Sequence, residues 1–68
     1  MSNDFLERLN DEKIELDEKL TKLESFFNTD NFSNLDEVQR RLLRGQAYHM
    51  REYLNILILR LSNLKEKQ

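Results

Sequence analysis

Apolar residues recur along two long stretches of this chain in alternating steps of three and four. The stronger run is Leu43, Ala47, Met50, Leu54, Leu57, Leu61 and Leu64. That spacing keeps every member on one stripe of an α-helix. With Ala47, Leu54 and Leu61 at heptad position a, the other four fall on d without a gap. A second run, Leu6, Leu9, Leu16, Leu20, Leu23 and Phe27, has one missing position, filled by Lys13. A lysine there lays its stem along the core edge and keeps its ammonium in water. Phe5 and Phe26 flank this run, and Ile14 lies off it.

Between the two runs stands Asn28-Thr29-Asp30-Asn31-Phe32-Ser33-Asn34. Asn, Asp, Ser and Thr bond to their own backbone and stop helices, so the segment reads as the turn of an αα-hairpin, with Phe32 folded back onto the end of the core. The prediction is all-α: one helical-hairpin domain over 1–68, helix 1 at about 4–27, the turn at 28–34 and a longer helix 2 at about 35–65. Asp4 with Glu7 fits an N-terminal capping box. For helix 2, Ser33 with Asp36 and Asp36 with Gln39 both fit.

Antiparallel pairing across that turn sets Phe27 opposite about Leu35 and Phe5 opposite Leu57. Everything beyond Leu57 then overhangs helix 1, yet it includes Ile58, Leu59, Leu61 and Leu64. A further stripe of Val38, Leu42, Gly45, His49, Ile56 and Leu59 runs along the opposite flank of helix 2. A helix apolar on more than one face is normally covered on more than one face. The expectation is therefore a homo-oligomer, most simply a dimeric four-helix bundle, whose interface holds Leu42, Gly45, His49, Ile56, Ile58, Leu59, Leu61 and Leu64. Gly45 costs about 1 kcal/mol against Ala in a helix interior. The ordinary reason to keep it is the close approach of another helix; the other is a ligand.

Composition narrows the function classes. The chain has 68 residues, no Pro, one Gly and no Cys, and 35% of it is charged. Such a length holds one small domain near the lower limit of independent folding. Absence of Cys excludes a disulfide framework and a thiol nucleophile, and a single His without nearby companion ligands leaves no metal signature. The first residues lack a signal-peptide pattern, and the longest apolar run, Ile56 to Leu59, is far below the roughly 20 residues that span a bilayer. A cytoplasmic protein without a membrane segment is expected.

Charge is uneven. Residues 1–27 carry eight acids and four bases, while 28–68 carry five acids and seven bases, with Arg40, Arg41, Arg44 and Arg51 uninterrupted by any acid. Two polar lines follow from this half. Gln39, Gln46, Tyr53 and Arg60 stand seven apart beside the apolar seam; they either line a groove between subunits or simply fix the register of a bundle. Arg41, Arg44, Tyr48, Arg51 and Asn55 share another face. Arginine forks grip phosphate and tyrosine faces stack on bases, but the same arginines can pair with the acids of helix 1. Nucleic acid is disfavoured as a main target, because the chain is acidic overall, with a formal charge of -2. His49 has no Ser, Cys or paired carboxylate at a helical spacing to make it a base, and no Gly-rich phosphate loop is present. No enzymatic activity is expected, and no cofactor.

The spacing Phe32-x-x-Leu35-x-x-x-Gln39-x-x-Leu42-Leu43-x-x-Gln46-x-x-x-Met50-x-x-Tyr53-x-x-Ile56-Leu57-x-x-Arg60 resembles a family of short proteins of tailed bacteriophages and prophages, related to a small crAss-like phage protein. Phe5-Leu6-Glu7-Arg8-Leu9 and Leu20-x-x-Leu23-Glu24-x-Phe26 resemble the first helix of that family. The resemblance implies a phage accessory protein made in a bacterial host cytoplasm. A looser likeness exists to the helical-hairpin domain of phage sponges, which sequester cyclic nucleotide signals of bacterial immunity between subunits; no binding residue is carried over from it. The leading reading is a binding protein for counter-defence, which sequesters a nucleotide signal or blocks a host protein. Its candidate contacts are Gln39, Gln46, Tyr53, Arg60, Arg44, Tyr48 and Arg51. A structural coiled-coil adaptor or regulatory oligomerisation module is the second reading, and a nucleic-acid-binding regulator the third.

Overall fold

The two heptad stripes become two long helices in a computed structural model that describes residues 2–66, with side chains from Asp4 onward. Helix α1 spans Ser2–Phe26, a single helical turn α2 spans Asp30–Ser33, and α3 spans Glu37–Glu66. The predicted domain over 1–68 also took in Met1, Lys67 and Gln68, which lie outside the described residues. The described residues are all-α, as the sequence predicts, but α2 forms within the segment read as a plain turn at 28–34. The start of α1 differs in detail. Asp4 already sits inside its first turn, where its carboxylate pairs with Arg8 at 3.3 Å instead of capping the end.

Local chemistry decides where the helices stop. The last turn of α1 tightens into three-residue hydrogen bonds from the Phe27 and Asn28 N–H groups to the Glu24 and Ser25 carbonyls, both 3.2 Å. The Thr29 hydroxyl donates to the Phe26 carbonyl at 2.7 Å and accepts from the Phe32 N–H at 3.3 Å, so it ends α1 and starts α2. Asp36 then caps α3 by accepting from the Gln39 N–H at 2.8 Å, which decides between the two boxes open in the sequence. Arg40 donates to the Ser33 carbonyl at 3.1 Å and to the Leu35 carbonyl, closing the connection with one guanidinium.

Two buried clusters hold α1 against α3. Leu9, Leu57 and Leu61 form the first, with Leu6, Leu16 and Leu64 packed on it. Leu20, Ala47 and Leu54 form the second, with Leu16, Leu23, Phe27 and Met50 around them. Early residues of α1 meet late residues of α3, so the two run in opposite directions. Phe32, 3% exposed, seals the connection end with its ring 4.9 Å from Phe27 and 5.8 Å from Phe26. The backbone forms a rod of 49 × 14 × 14 Å.

This register corrects the expected one by about a helical turn. Leu57 lies with Leu9 rather than Phe5, and Leu61 is 5% exposed within the same cluster. Leu61 and Leu64 are thus covered by α1 and are not part of the overhang assigned to them. The cause is α2. A capped helical turn with Phe32 tucked beneath it takes up chain that a plain turn would have left to α3, so Phe27 meets residues farther along α3 than Leu35.

What remains uncovered is the face of α3 opposite α1. Val38 and Leu42 are each 61% exposed, Ile56 52% and Leu59 63%, and Ile58 at the edge is 46% exposed. Gly45 lies on this face, and a Cβ built on it would touch nothing within 4 Å. The close approach expected at Gly45 is therefore not made within the protomer.

Candidate functional site

Three strips of α3 carry the polar residues singled out in the sequence, and the structure treats each differently. On one flank of the core, Tyr53 donates a hydrogen bond to the Glu12 carboxylate. Arg60 comes next on that line, bordering an open groove of about 320 Å³ with Phe5, Arg8, Leu9 and Glu12. Gln46 makes only a weak contact to the Met50 sulfur at 3.9 Å, and Gln39 is exposed. Tyr53 and Arg60 thus share one end of the rod, while Gln39 sits at the other.

The hydrogen bond to Glu12 holds the Tyr53 phenol above the ordinary tyrosine range, helped by some desolvation and by the carboxylate charge, while Arg60 pulls the other way. A raised pKa in the folded state means the contribution to stability is complete below the unfolded value near 10.0 and is lost as pH climbs through the higher folded value. In a Tyr48→Phe background, ultraviolet titration of the one remaining tyrosine should show a midpoint above 10.0. Adding Glu12→Gln should bring that midpoint down. An unchanged midpoint would mean the phenol does not rest on Glu12.

On the opposite flank, Arg51 pairs with Glu24 across the two helices at 2.7 Å. Both partners are half exposed, so this pair is worth no more than about 1 kcal/mol. Arg41 pairs within its own helix, with Glu37 at 3.3 Å. Arg44 is different. Its guanidinium carbon lies 5.3 Å from the centre of the Phe27 ring and 5.1 Å from that of Phe32. Among the described residues Arg44 forms no ion pair. The two ring faces attract the cation and hold the guanidinium beside them, and none of its N–H groups donates to an acceptor among the described residues. Tyr48, one turn along on the same side and 62% exposed, presents an open ring. Among the described residues, Arg51 is the one arginine of α3 that pairs with an acid of α1.

The third strip is the outer face. His49 is exposed there, with its ring edge-on to Tyr48 at 5.3 Å. The residues that sequence reasoning missed are those that hold others in place. Phe27 and Phe32 were read as core alone, although together they seat Arg44. Glu12 and Glu24 were counted only among the helix 1 acids open to the arginines, without a named partner, and Arg40 as one more base in a strip.

The groove beside Arg60 is open to solvent. Another, of about 250 Å³, is lined by Asn10, Lys13, Ile58, Leu61, Ser62 and Lys65. Among the described residues no three metal-ligating side chains converge, and no helix is long and apolar enough to cross a membrane. Compared with known proteins, no curated protein and no solved structure matches the chain. A family model does: the Sequestin model matches residues 3–63, which takes in α1 from Asn3, the whole connection and α3 as far as Asn63. A match over nearly the entire chain settles membership, and the protein belongs to the Sequestin family.

Proposed function

We propose that this chain is a non-enzymatic phage accessory protein that sequesters a small nucleotide immune signal in a bacterial cytoplasm. It acts as a self-associating helical hairpin, with the ligand gripped between copies. The observation that carries this reading is Arg44. A planar cation seated on Phe27 and Phe32, without a carboxylate partner among the described residues, is ready for the bidentate grip that a phosphate accepts. Tyr48 beside it supplies a face on which a base can stack. The family's name points the same way, toward capture rather than turnover. Arg51 takes a lesser part, because Glu24 already holds it. Gln39, Gln46, Tyr53 and Arg60 lie on the opposite flank, where Tyr53 is held by Glu12, and stand apart from this grip.

Thermal denaturation in the presence of cyclic di- and trinucleotides tests the reading. A ligand at ten times its Kd adds about 1.4 kcal/mol, which for a domain of this size raises the melting temperature by roughly 6–11 °C. Arg44→Ala should abolish that rise while leaving the oligomeric mass unchanged. If no nucleotide moves the melting point, the sequestering role passes to a host protein target and the assignment of Arg44 falls.

A further inference from the structure

The outer face of α3 carries a second heptad seam, complete from end to end. Val38, Leu42, Gly45, His49, Glu52, Ile56 and Leu59 follow one another in steps of four and three. Each of them is turned away from α1; the four aliphatic members are more than half exposed, and Gly45 has open space where a Cβ would stand. Beside the seam lie Gln39, Gln46, Tyr53 and Arg60 on one side and Arg41, Tyr48 and Asn55 on the other. An apolar strip bordered by polar, aromatic and arginine side chains has the make-up of an interface core and rim.

We infer that this seam pairs with the same seam of a second copy, antiparallel, with Leu42 on the partner's Leu59, Gly45 on the partner's Ile56 and His49 on the partner's Glu52. The inference rests on the self-association proposed above and adds its face, direction and register. Charge selects it. A parallel pairing in register would set Glu52 on the partner's Glu52 and His49 on the partner's His49, two like pairs at the centre of an apolar strip. Antiparallel helices interlock by pairing the two kinds of seam position with each other, which leaves two registers rich in apolar contacts. One puts Leu42 against the partner's Glu52, a carboxylate desolvated on a leucine.

The other register has no such conflict. The His49 imidazole meets a carboxylate on each side of the two-fold axis, and Glu52 forms no ion pair within its own chain among the described residues. Gly45 supplies the hole for the partner's Ile56, which gives the glycine a reason that the protomer alone lacks. The contact is self-complementary, as a closed two-fold interface requires.

Cross-linking through introduced cysteines tests this directly, since the chain has none of its own. The sites are exposed, and circular dichroism verifies that each variant keeps its helicity. Treated with a short bis-maleimide, Leu42→Cys/Leu59→Cys should give a covalent dimer. Leu42→Cys and Leu59→Cys alone should not, because equal positions stand about 25 Å apart along the paired helices. Dimers from either single variant would establish a parallel pairing and overturn the inference. If no variant cross-links while light scattering shows the parent chain to be dimeric, the register is wrong but self-association stands. A monomeric parent at high concentration would remove both.

Discussion

Leu57→Ala is expected to melt more than about 10 °C below the parent protein. Leu57 is fully enclosed and sits at the centre of the cluster made with Leu9 and Leu61. Truncating such a leucine costs about 2–5 kcal/mol, in lost transfer energy and in the cavity left behind. A chain of this length has only about 3–10 kcal/mol of stability to lose. Among the described residues seven side chains make up the buried core, so neighbours have little material with which to fill the gap. Ile14→Ala is the matched comparison, since Ile14 is 43% exposed and belongs to neither cluster. Its cost should stay within about 0.5 kcal/mol. Calorimetry of the two variants checks the pair, and similar melting temperatures would mean that the α1–α3 packing is misplaced.

Phe32→Ala is expected to be nearly as damaging, at about 3–5 kcal/mol. Its ring is 3% exposed, stands edge-on to Phe26, tilts against Phe27 and carries the Arg44 guanidinium. Losing it empties the sealed end of the rod and unseats the cation together. Phe32→Leu separates the two effects: it keeps apolar bulk and removes the ring. Urea unfolding should therefore show a smaller loss for Phe32→Leu than for Phe32→Ala. The upfield ring-current shift of the Arg44 side-chain N–H resonance should shrink in both. An unshifted Arg44 resonance in the parent protein would contradict the stacking.

The parts of this architecture that follow a period were legible in the sequence. Ala47, Leu54, Leu57 and Leu61 could be placed in the core because a helix repeats every 3.6 residues and the apolar positions keep that beat. The Asn-rich break was equally readable, since its residues compete for backbone hydrogen bonds. Register was not. It depends on how much chain the connection consumes, and the Thr29 cap and the burial of Phe32 add a helical turn that has no period to read. The site was half legible for the same reason. Arg44 and Tyr48 stand out as a basic and aromatic pair on one helix, whereas the rings that seat Arg44 come from across the connection and appear only once the chain has folded back. Glu12 and Glu24 gave no local sign of the side chains they would meet.

A backbone rod 14 Å across has no depth in which to lock a ligand away. Under the proposed reading, retention of cargo is then a matter of dose. Where pairing is weak, the number of pairs falls off more steeply than the amount of protein itself, so halving expression releases more than half of what is held. The cell's stock of this small chain, more than the perfection of any single molecule, would set the threshold at which a signal escapes.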